Sequence, residues 1–194
     1  VQSADTNLRT QPNCFPYLIA KQIGYKLPLP WILSSPLGVV GDAQLRARLF
    51  PNRPPANFAV SGADISDVLL DTASDNGDRE IDLVLPPYLG MSQIEIVEIS
   101  TAPFVIAWVG NNDVLGAVTA FDELNETHIR DAMTSAINFE EDFQELAGRL
   151  SAAGKMVIYG NIPDVTKIGF LVDGEDLRRI LGDDFGLKEG NFTT

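Results

Sequence analysis

Apolar and polar positions along this chain sort into short unbroken apolar runs and longer stretches with helical spacing. The run from Phe104 to Val109 is wholly apolar and empties into Gly110-Asn111-Asn112-Asp113. Such a run, ending in a turn of small amide and acid residues, predicts a buried interior parallel strand that delivers polar groups to its carboxyl end. Residues 15–23 place Tyr17, Leu18, Ile19 and Ile23 around Lys21 and Gln22, which predicts a helix closed by Gly24. Residues 57–60 predict a short strand leading to Ser61-Gly62. Ile65, Val68 and Leu69 then fall at i, i+3 and i+4, one face of a helix opened near Asp64. Residues 73–90 read as a polar loop running into Leu83-Val84-Leu85-Pro86-Pro87, whose prolines argue against a central strand.

Residues 91–100 predict a short helix. The clearest helical pattern is 135–150, where Phe139, Phe143, Leu146 and Leu150 line one side and Glu140, Glu141, Asp142 and Glu145 supply the solvated remainder. Gly154 stops it, residues 156–159 predict the next strand, and residues 173–181 a last helix. The proline- and glycine-rich stretch 25–56 has no sustained period and reads as a long surface excursion. From residue 57 onward strands and helices alternate, which predicts an α/β fold with a mainly parallel sheet and helices on its faces.

The length of 194 residues suits a single domain, 1–194, with one sizeable core. A balance of 14 basic against 27 acidic side chains argues against nucleic acid and against anionic membrane surfaces as partners. No apolar run reaches the roughly 18 residues of a membrane span. A single cysteine, Cys14, rules out an intrachain disulfide and reads as packing or helix-entry material.

Three segments, in order, carry chemistry: Asn57-Phe58-Ala59-Val60-Ser61-Gly62, then Gly110-Asn111-Asn112-Asp113, then the stretch from Val157 through Gly160-Asn161-Ile162-Pro163-Asp164 to Thr166. Taken alone, each is also a plain strand-to-turn exit, since Gly, Asn and Asp favour such turns. Together they resemble the SGNH (GDSL-type) ester hydrolases over nearly the whole chain, with 25–56 the weakest part. The resemblance implies a three-layer α/β sandwich around a flavodoxin-like sheet, and serine-dependent hydrolysis of a small-molecule or lipid ester. In it Gly62 offers a backbone N–H and Asn112 a side-chain N–H to the oxyanion. Asp113 holds the loop, and the stretch after 159 borders the cleft. It implies no cofactor and no metal, and a secreted, periplasmic or cell-surface setting. Trp31, Ile32 and Leu33 are candidates for an acyl-chain surface or for core cover.

The chain departs from the family at both catalytic poles. It contains no Gly-Asp-Ser: Gly41-Asp42, for example, precedes Ala43 and Gly182-Asp183 precedes Asp184. Its only histidine, His128, has no aspartate three residues before it and reads as a surface residue. The expectation is therefore a chain truncated at both ends, with the nucleophile block upstream of Val1 and the base block downstream of Thr194. The family's first strand would lie between 57–60 and 104–109, so its gap calls for further chain or a complementing polypeptide. A non-catalytic binding or assembly protein that retains the hydrolase fold is the alternative.

Overall fold

The computed structural model describes residues 10–33, 47–50, 52–74, 80–86, 89–119, 133–162 and 164. The chain divides into two compact units, Val1–Asn161 and Ile162–Thr194, and the elements below belong to the first. Of the second unit only Ile162 and Asp164 are described, so the expected helix at 173–181 lies outside the described residues, as does His128.

A single 3₁₀ turn, Gln11–Asn13, leads into helix α1, Phe15–Gln22. Cys14 occupies the N-cap position of α1 and is buried. Gly24, at φ +74°, ends the helix. Its left-handed conformation lets Gly24 N–H reach Lys21 O and Tyr25 N–H reach Ala20 O, closing the final carbonyls. Within the excursion, strands β1 (Ile32–Leu33) and β2 (Ala47–Arg48) pair antiparallel. Gln11 braces this ribbon by accepting from Ile32 N–H at 3.3 Å.

Helices α2 (Ile65–Leu70) and α4 (Gln93–Ile99) both begin with reciprocal capping boxes, Asp64 with Asp67 and Ser92 with Glu95. Between them lies α3, Glu80–Val84, where the sequence pattern predicts a loop. The apolar run that the prolines disqualify as a strand is short enough to bury as one helical turn. Asp82 anchors it by accepting from Ser74 N–H at 2.7 Å. Ile81, Leu83, Val84 and Leu85 are all buried there with Ile32, Ala73 and Ile96.

Strand β3, Phe104–Ala107, pairs parallel with β4, Met156–Tyr159, Phe104 lying opposite Met156 and Ala107 opposite Tyr159. Helix α5 spans Asn112–Thr119 and α6 Ala136–Ala152. The chain is thus a mixed helix-and-strand fold with a small parallel two-stranded sheet. Helices α2, α4 and α6 enclose a second core of Ile65, Leu69, Ile94, Leu146 and Leu150, which Phe139, Phe143, Val109 and Val157 extend to the sheet. Ile94 and Ile96, two residues apart on α4, face the two cores from opposite sides. Arg149 of α6 grips Glu98 of α4 through two bonds, at 2.7 and 2.8 Å, a bidentate pair that fixes the helices' register.

Two expectations about the strands need correction. Residues 57–60 form no strand: Phe58 O is satisfied instead by Gln93 Nε2 at 2.6 Å. The run from Phe104 forms a four-residue strand, not an interior one through Val109, because among the described residues β4 is its only neighbour. A strand paired on one side has half its backbone bonds to hold it extended. One face of the sheet, with Val157 and Tyr159, packs on α6, and Tyr159 meets Phe143 at 5.4 Å. The opposite face is largely bare, with Met156 at 70% and Ile158 at 54% exposure. Trp108 covers its carboxyl end, lying over Gly160 and against Phe15 of α1, ring centroids 5.6 Å apart.

That placement makes Gly160 intolerant of a side chain. A Cβ there would stand 2.6 Å from Trp108 Cγ. Gly160→Ala should destabilise the fold by about 1–3 kcal/mol, the ordinary cost of overpacking. Denaturant unfolding measures this, and Trp108→Ala in the same chain should remove most of the penalty, because the obstructing ring is gone.

Candidate functional site

The polar residues that follow β3 meet the turn that follows residues 57–60. Gly110, at φ +110°, turns the chain out of the strand, and Gly62, at φ +81°, turns the other segment. Both conformations favour glycine over any residue with a Cβ. At Gly62 the demand is conformational alone, since no atom stands within 4 Å of where a Cβ would be. That glycine is exposed, and its N–H has no partner among the described residues.

Asn112 and Asp113 act as a clamp on the segment after Gly62. Asn112 Nδ2 donates to Ala63 O at 2.6 Å. Asp113 Oδ2 and Oδ1 accept from Ile65 N–H at 3.2 and 3.4 Å. Ile65 opens α2, so its N–H is one of the orphan donors at a helix start and favours a negative partner. The Asp64 side chain takes another of these donors, Asp67 N–H, at 2.9 Å. An amide carries two N–H donors, so the bond to Ala63 leaves Asn112 one more to give. The structure therefore brings Asn112 beside the turn that Gly62 forms. The remainder of the third segment is described only at Asn161, Ile162 and Asp164.

Electrostatically this corner is acidic. Asp113 is 4% exposed, and burial holds its carboxyl above the usual aspartate range, against the lowering effect of bonds from Thr134 and Ile65 and with nearby Asp64 adding to the rise. Burial likewise raises Asp67, aided by Asp64, Asp71 and Asp113. Among the described residues no group of three or more His, Cys, Asp or Glu is arranged to hold a metal ion. No helix among them is long and apolar enough to cross a membrane.

Sequence reasoning missed three supports of this site. Gln93, which holds Phe58 O, sits inside an apolar pattern and gives no local signal of its target. Trp108 reads as one more apolar strand residue, although it lies beyond the strand and caps the sheet end. Lys155 Nζ donates to Ser100 O at 2.6 Å and Ala102 O at 3.0 Å, tying the entry of β3 to the entry of β4. Comparison with family models, curated proteins and solved structures finds no match to this chain.

The raised Asp113 and Asp67 carboxyls set a sign for pH dependence. Each binds its proton more tightly folded than unfolded, so the stability it contributes is fully present below the ordinary aspartate range. It falls as pH rises from there through the raised folded values. Glu98, lowered by its bond to Arg149, acts oppositely, and its contribution is lost as pH falls below the ordinary glutamate range. Urea unfolding across about pH 4–8 should show the first decline in the native protein, and Asp113→Asn should flatten it. An Asp113→Asn chain with an unchanged slope would mean that Asp113 is not the titrating group.

Proposed function

We propose that this chain carries the oxyanion-hole part of an SGNH-type serine ester hydrolase, acting on carboxylic esters of small molecules or lipids. The observation that carries the reading is the meeting of two segments distant in sequence: the N–H of Gly62, unpartnered among the described residues, and the amide of Asn112 at the start of α5 lie on segments joined by the bond to Ala63. Two preorganised donors near one point are what a developing alkoxide needs. Gly62 N–H and the second Asn112 N–H would hold the oxyanion. A serine from a Gly-Asp-Ser turn would attack the ester carbonyl, with a histidine from an Asp-x-x-His block as its base.

The finer fold belongs to the same reading. A three-layer sandwich requires β3 to have a second neighbour and its bare face to be covered. The outward edge of β3 and the exposed Phe104, Met156 and Ile158 suit an added strand and a helical layer. Added backbone along β3 would also draw residues 57–60 into the sheet as the strand that their pattern predicts. A secreted, periplasmic or cell-surface setting goes with this class of enzyme.

One observation favours the non-catalytic alternative. The Asn112–Ala63 and Asp113–Ile65 bonds are sufficient to hold α2 without any chemistry. The two readings part on activity. The 194-residue chain alone should neither turn over a short-chain aryl ester nor be labelled on serine by an organophosphonate. A chain extended with the Gly-Asp-Ser and Asp-x-x-His blocks should do both. In that longer chain Asn112→Ala should lower kcat about 10²–10³-fold, as for a lost oxyanion donor. KM should change little, because the donor acts on charge that develops in the transition state. An extended chain without turnover, or an Asn112→Ala variant with undiminished kcat, would reject the hydrolase reading.

A further inference from the structure

A cavity that shares no residue with the Gly62–Asn112 corner lies between α1 and the proline-rich excursion. It is an open cleft of about 920 Å³. Its walls include three aromatic rings, Tyr17, Tyr25 and Trp31, and three cations, Lys21, Lys26 and Arg53. This composition is unusual for the chain. Only 14 of its residues are Lys or Arg against 27 Asp or Glu, yet the cleft gathers three of the cations and, among its described walls, no carboxylate.

None of the three cations is in an ion pair among the described residues. Arg53 instead lies over the Phe50 ring, 5.9 Å from its centroid. The three like charges repel one another locally, while the negative field of this acidic chain favours each of them. Lys21 stands in the last turn of α1 and Arg53 on the Phe50 ring, and among the described residues none of the three makes a side-chain hydrogen bond. Three like charges lining one cleft are complementary to an anion.

The aromatic wall points to the body that carries the charge. Trp31 is the single non-glycine residue with positive φ among the described residues, at +51°. For so bulky a side chain that backbone is costly, on the order of 1–3 kcal/mol, and such strain collects at ligand-holding positions. The local pairing maintains it: Trp31 O accepts from Leu49 N–H at 2.8 Å, next to the β1–β2 ribbon. The turn delivers an indole to a cleft that already holds two phenols. Flat π faces beside cations suit a planar ring bearing a negative group, the ring stacking on the aromatics while the anion meets the cations.

We propose that this cleft is a binding site for an aromatic carboxylate of small-molecule size. The site is independent of the hydrolase reading, since none of its residues belongs to the Gly62–Asn112 corner. Calorimetric titration of the full chain with 2-naphthoate tests it, beside the neutral 2-naphthylmethanol and inorganic phosphate. Naphthoate should bind at least tenfold more tightly than either, because the alcohol lacks the charge and phosphate lacks the ring. Replacing Lys21, Lys26 and Arg53 together by Gln should weaken naphthoate at least tenfold with an unchanged circular dichroism spectrum. Trp31→Gly, which suits the positive φ and removes the ring, should do likewise. Should the triple variant not fold, the native protein still decides, since added salt screens exposed charges and must weaken naphthoate and leave the alcohol unaffected. Equal affinity for acid and alcohol overturns the proposal, as does phosphate binding as tight as naphthoate, affinity indifferent to the substitutions, or no binding by any probe.

Discussion

The bonds from Asn112 and Asp113 across to Ala63 and Ile65 hold this structure's distant parts together. They span about fifty positions of sequence, |i−j| being 49 for Asn112 to Ala63 and 48 for Asp113 to Ile65. Among the described residues they are the polar bonds that join the segment after β3 to the start of α2. Apolar packing alone is non-directional and would leave that approach free to slide. The pair corrects this with one donor and one acceptor aimed at successive backbone groups. Because the Asp113 carboxylate is buried, losing its bond from Ile65 N–H would leave the desolvated charge to the bonds from Thr134 and from its own backbone. The result is an obligatory contact on which the placement of α2, and hence of α4 and α6 against it, depends.

The sheet shows what happens where such a constraint is missing. β3 and β4 have clear strand sequences, yet the sheet ends at two strands among the described residues. Its α6 face is packed and its other face bears exposed Phe104, Met156 and Ile158. Each strand residue whose N–H points away from its neighbour must otherwise be satisfied by water, and exposure permits that here. Burial of this face without a further strand would leave those groups unmet, at about 1–3 kcal/mol each. A bare apolar face and a bare polar edge therefore persist together. Covering either one favours covering the other.

Local chemistry was legible in the sequence wherever a residue acts on its own neighbourhood. The helices at 15–22, 93–99 and 136–152 follow from apolar spacing, with glycine stops at Gly24 and Gly154, and the structure places their boundaries within a residue or two of that reading; the helix at 65–70 opens at Asp64 as read. Strand β4 follows from its short apolar run. What failed is what depends on partners. Residues 57–60 have strand composition but no strand beside them, and Leu83-Val84-Leu85 has loop punctuation but enough burial to be helical. Of the candidate site, the turns at Gly62 and Gly110 and the polar run after β3 were legible. The target of each Asn112 and Asp113 bond was not, because side-chain reach across about fifty positions leaves no periodic trace. The cleft was invisible for the same reason: Lys21, Lys26 and Arg53 lie on separate segments and look like scattered surface charge.

The Asn112 amide shows why a structural role and a chemical one need not compete. A side-chain amide free to rotate would have to be fixed before it could donate to a transient charge, and that ordering would subtract from whatever the donation gains. Its bond to Ala63 O at 2.6 Å fixes the amide plane in advance. With one hydrogen committed, the direction of the other is set by the planarity of the group. Preorganisation of this kind is where electrostatic stabilisation of an oxyanion derives most of its effect, since the donor does not reorganise as charge appears. Asp113 adds to it by holding the following residue against α2, so the loop cannot relax away from the turn. In the hydrolase reading, then, the clamp that ties Asn112 to the fold is also the reason its second donor would be ready.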